Sequence, residues 1–376
     1  LMLGVVALVF GFTLIRRFAL GGRILLLLCI VVGYFVRSQG LAEIDLLGVI
    51  DLLSMVATVV AVALLRPQLQ DLRFLAFYAA AVSVYAIAFT LVRPQGSLMI
   101  DSYGGYFAHK AIISSWAVAG PMGHANTFGA FLVLATPWAL FIRARLARNL
   151  ILMVLLFGLV ASASRTSLSA AAACGIFLAV SSIAPRIHRR GVAYLALAVS
   201  CSVVVAMPFL ATAETLNGRS DIWKQSLAVF SDSGYPMLGR GAFWSETAAS
   251  AGAELPLSTS AHNLFVQWLI IGGPILLIGG ILFARRVVKV ALLADSRLPS
   301  PALMTYVIAL LVVSSNEFVL VFDPAFPTFS VTTVALVVIA SGNVSRVPLR
   351  RQASDSQTPI TSKPGESHNR FETVGG

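Results

Sequence analysis

Apolar runs of nearly membrane-crossing length follow one another along almost the whole of this 376-residue chain. Eleven stand out, at roughly 1–15, 18–36, 46–65, 74–92, 125–142, 149–163, 167–184, 191–210, 262–284, 302–322 and 325–340. Crossing about 30 Å of hydrocarbon takes about 20 such residues, and a lone strand in lipid would leave its backbone groups unpaired. Runs such as ILLLLCIVV lack the two-residue alternation of a membrane barrel. The expected fold is an all-α, polytopic transmembrane helical bundle. Composition agrees: 58% of residues are hydrophobic, only 11% are charged, and the mean hydropathy is +0.87. Soluble domains carry about 25% charged residues, so water-soluble classes are excluded.

Charge sets the orientation. The loops after the odd-numbered runs, with the C-terminal tail, hold 20 of the 27 basic residues and five acids, a net of +15. Everything else nets −4, and the two together return the chain's +11. This is the positive-inside pattern, which puts those loops in the cytoplasm. The sequence pI near 10.1 therefore reports orientation in the bilayer, and no nucleic-acid partner is implied. The same assignment leaves the N-terminus outside after an odd number of spans, with Leu1 already inside an apolar run. One further N-terminal helix is expected, giving twelve with both ends inside. The chain then divides into N-terminal membrane helices and an outer loop (1–124), a membrane core (125–345) enclosing a long outer loop (211–261), and a disordered cytoplasmic tail (346–376) rich in Ser, Thr, Pro and Gly. Cys29, Cys174 and Cys201 lie in spans without metal-ligand spacing and read as small apolar packers.

Three polar islands interrupt this background: S-A-S-R-T-S with Arg165, N-G-R-S-D-I-W with Arg219, and S-A-H-N-L with His262. All three fall on the outer side of the expected topology. Singly, each has a structural explanation: a headgroup-snorkelling arginine, a surface arginine, a helix-capping His-Asn pair. Outer loops here are poor in bases, so two arginines beside a histidine form a constellation, suited to a phosphate-bearing lipid. Within 211–261, the stretch from Ser220 reads as a short amphipathic helix capped by Ser220, with Trp223 at headgroup depth and Arg219 before its N-terminus. Y-P-M-L-G-R-G then supplies a turn with Arg240, and the Ser/Thr-rich run after it reads as a mobile lid. G-P-M-G-H-A-N, with His124 and Asn126, breaks the chain before another span and offers secondary ligands, as does Asn263. Asp51 and Glu317 are carboxylates inside expected spans, where function is the default reading. The structural alternative pairs them with Arg165 or with a Ser/Asn neighbour.

The order and sidedness of these segments resemble the O-antigen ligase and polymerase superfamily of bacterial envelope glycosyltransferases, most strongly over roughly 120–285. G-P-M-G-H-A-N-T-F-G resembles its Gly-x-x-x-x-x-Asn opening of a span, S-A-S-R-T-S its Ser-Arg turn, and N-G-R-S-D-I-W its Arg-x-x-x-Trp start to the outer loop. M-L-G-R-G resembles its Gly-x-Gly, and A-H-N-L-F-V-Q-W-L-I-I-G-G its His-Asn block ending in glycine. The resemblance implies transfer of a glycan from a polyprenyl diphosphate carrier to an acceptor at the outer face of the cytoplasmic (inner) membrane. The acceptor would be lipid A-core for a ligase or another carrier-linked glycan for a polymerase. By motif, Arg165 and Arg219 would bind the diphosphate and His262 would act near the acceptor hydroxyl. Guanidinium is a permanently charged forked donor suited to a diphosphate leaving group, and histidine is a base that is neutral near pH 7. One-step displacement would invert the anomeric centre. No outer Asp-x-Asp cluster is present, so no catalytic metal and no cofactor are expected. The competing class is a transporter or flippase of lipid-linked sugars. Against it, the sequence shows no paired broken helices or inverted repeats, and the candidate residues gather on one face.

Overall fold

The computed structural model describes residues 67–94, 117–185, 187–212, 219–231, 237–241, 260–296, 300–320 and 326–341, with 53, 56, 57, 60, 61, 65 and 298 singly. Among these, every regular element is helical and no strand occurs. The runs read at 1–15, 18–36 and most of 46–65, together with Asp51, the lid and the C-terminal tail, lie outside the described residues.

Nine α-helices order the described chain: α1 Arg73–Val92, α2 Ala125–Ala135, α3 Arg145–Ala161, α4 Arg165–Ile183, α5 Arg189–Leu210, α6 Arg219–Ser231, α7 Leu264–Asp295, α8 Ala302–Ser314 and α9 Ala335–Ser341. Short 3₁₀ turns precede α1 (Leu69–Leu72) and α2 (Gly120–Met122) and extend α2 (Thr136–Phe141), while a π-helical turn, Ser330–Val334, runs into α9. Four stretches are long and apolar enough to cross a bilayer: Leu69–Val92, Arg165–Ile183, Arg189–Leu210 and Leu264–Asp295. Their outward faces carry large apolar side chains such as Phe74, Tyr85, Ile176 and Leu195, as lipid contact requires. Inward faces are small. Ala76, Ala79, Ala80, Ser83 and Ala86 line the buried side of α1. A methyl group on Gly158 of α3 would lie 2.1 Å from Ser83 Oγ, so α3 seats against α1 through the missing side chain.

Two expected spans take a different form. The run at 302–322 becomes α8, of 13 residues, followed by a non-helical stretch over 315–320, and the run at 325–340 is described as the π-helical turn leading into α9, Ser330–Ser341 together. Both are buried nearly all round. Irregular backbone within a membrane protein is tolerated where protein surrounds it; the 315–320 stretch is almost wholly buried, and α8 before it packs on α4, α5 and α7. Helix α7 also departs from the single span read at 262–284. Gly273 (φ 61°, ψ −166°) and Pro274 break it into two arms. A methyl on Gly280 would lie 1.7 Å from the Trp268 ring. Twelve residues of straight helix would separate those positions by about 18 Å, so the arms fold toward each other at the break.

The polypeptide is organised between two poles. At one, Trp138 after α2 stacks on Tyr306 near the start of α8, ring centroids 4.6 Å apart. There too the Asp295 carboxylate accepts from the backbone of Leu303 (3.2 Å) and Met304 (2.8 Å), tying the end of α7 to the start of α8. At the other, the starts of α2, α4, α6 and α7 converge on the end of α8. The polar islands sit at this second pole.

Candidate functional site

Each island is fixed by local chemistry before it meets the others. Gly120 and Gly123 hold φ of +55° and +69° in the turn ahead of α2, and His124 caps that helix, its Nδ1 accepting from the Asn126 amide at 3.1 Å. The cap throws the Asn126 side chain off the first helical turn. At α4, Ser164 is the N-cap: its Oγ lies 2.8 Å from Ser167 Oγ and accepts from the Ser167 amide. Ala163 just before it has φ +51°. A methyl on Gly129 of α2 would lie 2.6 Å from Ser164 Cβ. That close approach puts Arg165, the exposed first residue of α4, beside α2 one turn below Asn126.

The His262 segment is the most constrained. Ala261 N donates to Gln267 Oε1 at 2.6 Å, and Ala261 O accepts from Trp223 Nε1 at 2.7 Å. On the other flank, Asn263 Oδ1 accepts from Val266 N, while its Nδ2 donates to Val204 O (3.0 Å) and Ser315 O (2.9 Å). Asn263 is wholly buried and its polar atoms are all engaged, so it works as cap and staple and has nothing left for a substrate. Between two pinned neighbours, His262 is held at φ +50° with its ring a third exposed. A left-handed non-glycine residue costs on the order of 1–3 kcal/mol and persists where its surroundings over-determine it.

Helix α6 is described from Arg219, so Arg219 lies in the helix and Ser220 is not its N-cap. Ser220 is buried, and its hydroxyl has no partner among the described residues. Trp223 is inside the protein, fully buried, with its indole N–H on Ala261 O. It serves to lock α6 onto the His262 turn.

Glu317 joins these parts. Three residues past the end of α8, its Oε1 accepts from Arg219 Nη2 at 2.7 Å and Asn126 Nδ2 at 2.8 Å, and its Oε2 stands 3.5 Å from His262 Nδ1. Arg219 Nη1 also donates to the Asn316 carbonyl. The structure thus gathers Arg219, His262, Asn126 and Glu317. The partner of Glu317 is Arg219, where the sequence offered Arg165 or a Ser/Asn neighbour; Asn126 fulfils the second option. Arg165 stands at the same pole but forms no ion pair with a described carboxylate. Glu317 lies beyond α8 and outside the four long spans. Burial would raise its carboxyl, but the His262 hydrogen bond and the charges of Arg219 and His262 outweigh that and hold it below its ordinary value.

Arg240 comes from a different construction. Pro274 lacks an N–H and the break disrupts the next bond, which frees the carbonyls of Ile270 and Ile271. The amides of Arg240 (2.6 Å) and Gly241 (2.9 Å) fill those two positions. Gly239 (φ +67°) approaches so closely that a methyl there would lie 2.4 Å from Ile270 O, and one on Gly273 would lie 2.3 Å from Met237 O. Arg240 pairs with no described carboxylate, and its buried Nε has no partner among the described residues. Gln267 and Trp223 were not read from the sequence as parts of the site. For Gln267 a signal existed, a lone amide inside an apolar run.

No group of three or more metal-ligating side chains occurs among the described residues. Cys174 and Cys201 are free thiols, the former donating to Thr305 O within the core. The arrangement sets one guanidinium, Arg219, and one imidazole, His262, on a single buried carboxylate, with Arg165 exposed at the start of α4, and His262 Nδ1 facing that carboxylate leaves Nε2 as the ring's outward nitrogen.

Residues 150–284 match the family model described as O-antigen ligase, in agreement with the superfamily named from the motifs. No curated protein and no solved structure matches the chain. The matched segment contains Arg165, Arg219, Arg240, His262 and Asn263, while Asn126 and Glu317 reach the cluster from outside it.

Proposed function

We propose that this chain, which carries an O-antigen ligase domain at residues 150–284, transfers a glycan from a polyprenyl diphosphate carrier to an acceptor hydroxyl at the outer face of the cytoplasmic membrane. The observation that carries the reading is the pairing at one pole of a cation, Arg219, with a base, His262, through one buried carboxylate. Arg165 and Arg219 would bear the diphosphate. The acceptor oxygen attacks the anomeric carbon as its proton passes to His262 Nε2. The bond from that carbon to the phosphate oxygen breaks, and the diphosphate leaves with the electron pair, inverting the centre. Charge on the leaving group needs fixed donors more than it needs a proton, which is why two arginines suit the task. Lipid A-core as acceptor would make the protein a ligase; a carrier-linked repeat would make it a polymerase.

One observation favours a second reading. The broken α7 and the non-helical run after α8 are features that transporters use at midplane binding sites. At Gly273, however, the freed carbonyls are occupied by the Arg240 and Gly241 amides, so the break is sealed by the protein itself.

The test is the surface-glycan profile of a gene-deleted strain complemented with wild type, Arg165→Ala, Arg219→Ala or His262→Ala, each checked for membrane expression. Removing a cationic or proton-accepting group of this kind costs about 10²- to 10³-fold in transfer. Carrier-linked glycan accumulating over unmodified lipid A-core identifies a ligase, and single repeats identify a polymerase. Full complementation by all three variants overturns glycan transfer in favour of transport or a purely structural role.

A further inference from the structure

Glu317 lies outside the segment that matches the family, and its side chain is only 11% exposed. A carboxylate in an expected span is functional by default, and its geometry defines the kind of function. Oε1 is filled by Arg219 and Asn126, and Oε2 faces His262. An acceptor-only group so engaged has little left to offer a sugar hydroxyl, and a buried carboxylate repels a diphosphate. What it can do is hold two groups that the reaction uses separately.

We propose that Glu317 is a positioning residue, one anionic anchor that sets the donor-binding Arg219 and the acceptor-side His262 in a single register, with Asn126 fixing the anchor itself. The inference rests on the glycan-transfer reading for what the two groups do, and on the contacts of Glu317 for how they are held. Three features support it. Arg219 lies in a helix, Asn126 lies in another's first helical turn and His262 lies in a turn, and 191 residues separate Asn126 from Glu317. Trp223 and Asn263 already bring α6, the His262 turn and Ser315 together; Glu317 adds the side-chain link that sets the guanidinium, the ring and Asn126 relative to one another. Second, His262 Nδ1 facing Oε2 selects the ring orientation that points Nε2 away, and the imidazolium formed by proton transfer finds its counter-charge already in place. Third, the second Arg219 nitrogen bonds the Asn316 carbonyl, the residue adjoining Glu317. The guanidinium is therefore gripped as a fork and its direction is set, which a lone point contact would not do.

The charged groups facing His262 among the described residues are Glu317 and, through it, Arg219. Helix α6 also contributes Asp221 and Lys224, both exposed, and α7 contributes no charge before Arg285.

The experiment compares purified wild type, Glu317→Gln and Glu317→Asp in detergent, using a lipid-linked glycan donor and its acceptor. In parallel, diethylpyrocarbonate labelling of His262 is followed by peptide mass spectrometry on donor-free protein. Glu317→Gln should lower kcat by about 10²-fold with a smaller change in KM, and should change the rate at which His262 is labelled, because the ring is no longer held with Nδ1 against a carboxylate. Glu317→Asp keeps the charge and should recover part of the rate and of the wild-type labelling. An activity loss matched by the fraction of unfolded protein, with labelling unmoved, overturns the proposal. So does a Gln variant equal to wild type. If no glycan is transferred by any protein yet labelling still shifts between wild type and Gln, the anchoring stands and only the assigned reaction fails.

Discussion

Glu317 is the residue on which most depends, and its effect should be visible in stability as well as rate. A carboxyl held below its ordinary value in the fold contributes stability that is fully present above the unfolded pKa of about 4.3 and is lost as pH falls through the lower folded value. Detergent-solubilised wild type should therefore lose unfolding temperature steeply below about pH 4.3. Glu317→Gln, already without the pair at neutral pH, should begin lower and lose less over the same interval. Scanning fluorimetry at stepped pH measures both. An identical slope in the two proteins would mean that another group governs the acid transition. At this scale the sequence was informative about kind and poor about partners. It singled out Arg165, Arg219, His262, Asn126 and Glu317 because polar groups are conspicuous in an apolar chain. Of the two partners it offered Glu317, a Ser/Asn neighbour is met by Asn126, while the arginine is Arg219 and not Arg165, since a contact across 98 residues leaves no local trace.

Helices were legible where they are long and bare. The runs read at 74–92, 167–184 and 191–210 return as α1, α4 and α5 with ends shifted by a few residues. The run at 302–322 misled, because Phe318–Leu320 continues the apolar pattern past the point where helical bonding stops. Hydropathy reports burial, and extended backbone inside the protein is buried too. At α7 the signal, Gly272-Gly273-Pro274, was printed in the chain but its consequence depended on a distant loop. That clamp gives a prediction for the element. Gly273→Ala meets both a left-handed φ and the Met237 carbonyl, and should destabilise by at least about 1–3 kcal/mol. Gly175→Ala in α4, with nothing within 4 Å of the new methyl, should be neutral or stabilise by about 0.5–1 kcal/mol. Unfolding temperatures of the two variants in one detergent should move in opposite directions, and a tolerant Gly273 would show that the loop is not pinned there.

For the whole molecule, the described chain shows a single pole where cation, base and anchor meet, and the chemistry assigned to it needs no divalent ion. Transfer by the purified protein should survive EDTA and gain nothing from added Mg²⁺ or Mn²⁺. Activity abolished by the chelator and restored by either ion would place a metal in the mechanism. The charge pattern put the three polar islands on one side of the chain, and Arg219, His262 and Asn126 do meet at one pole. The assembly of the pole was not legible, since it depends on how close α2 and α4 approach through Gly129 and Ser164.

The shortness of α8 also bears on how such a protein is made. Thirteen residues of helix reach about 20 Å, short of about 30 Å of hydrocarbon. Its seat is formed by α4, α5 and α7, all of which precede it in the chain, and Glu317 arrives with it. In a nascent chain Arg219 and His262 therefore emerge before the carboxylate that joins them.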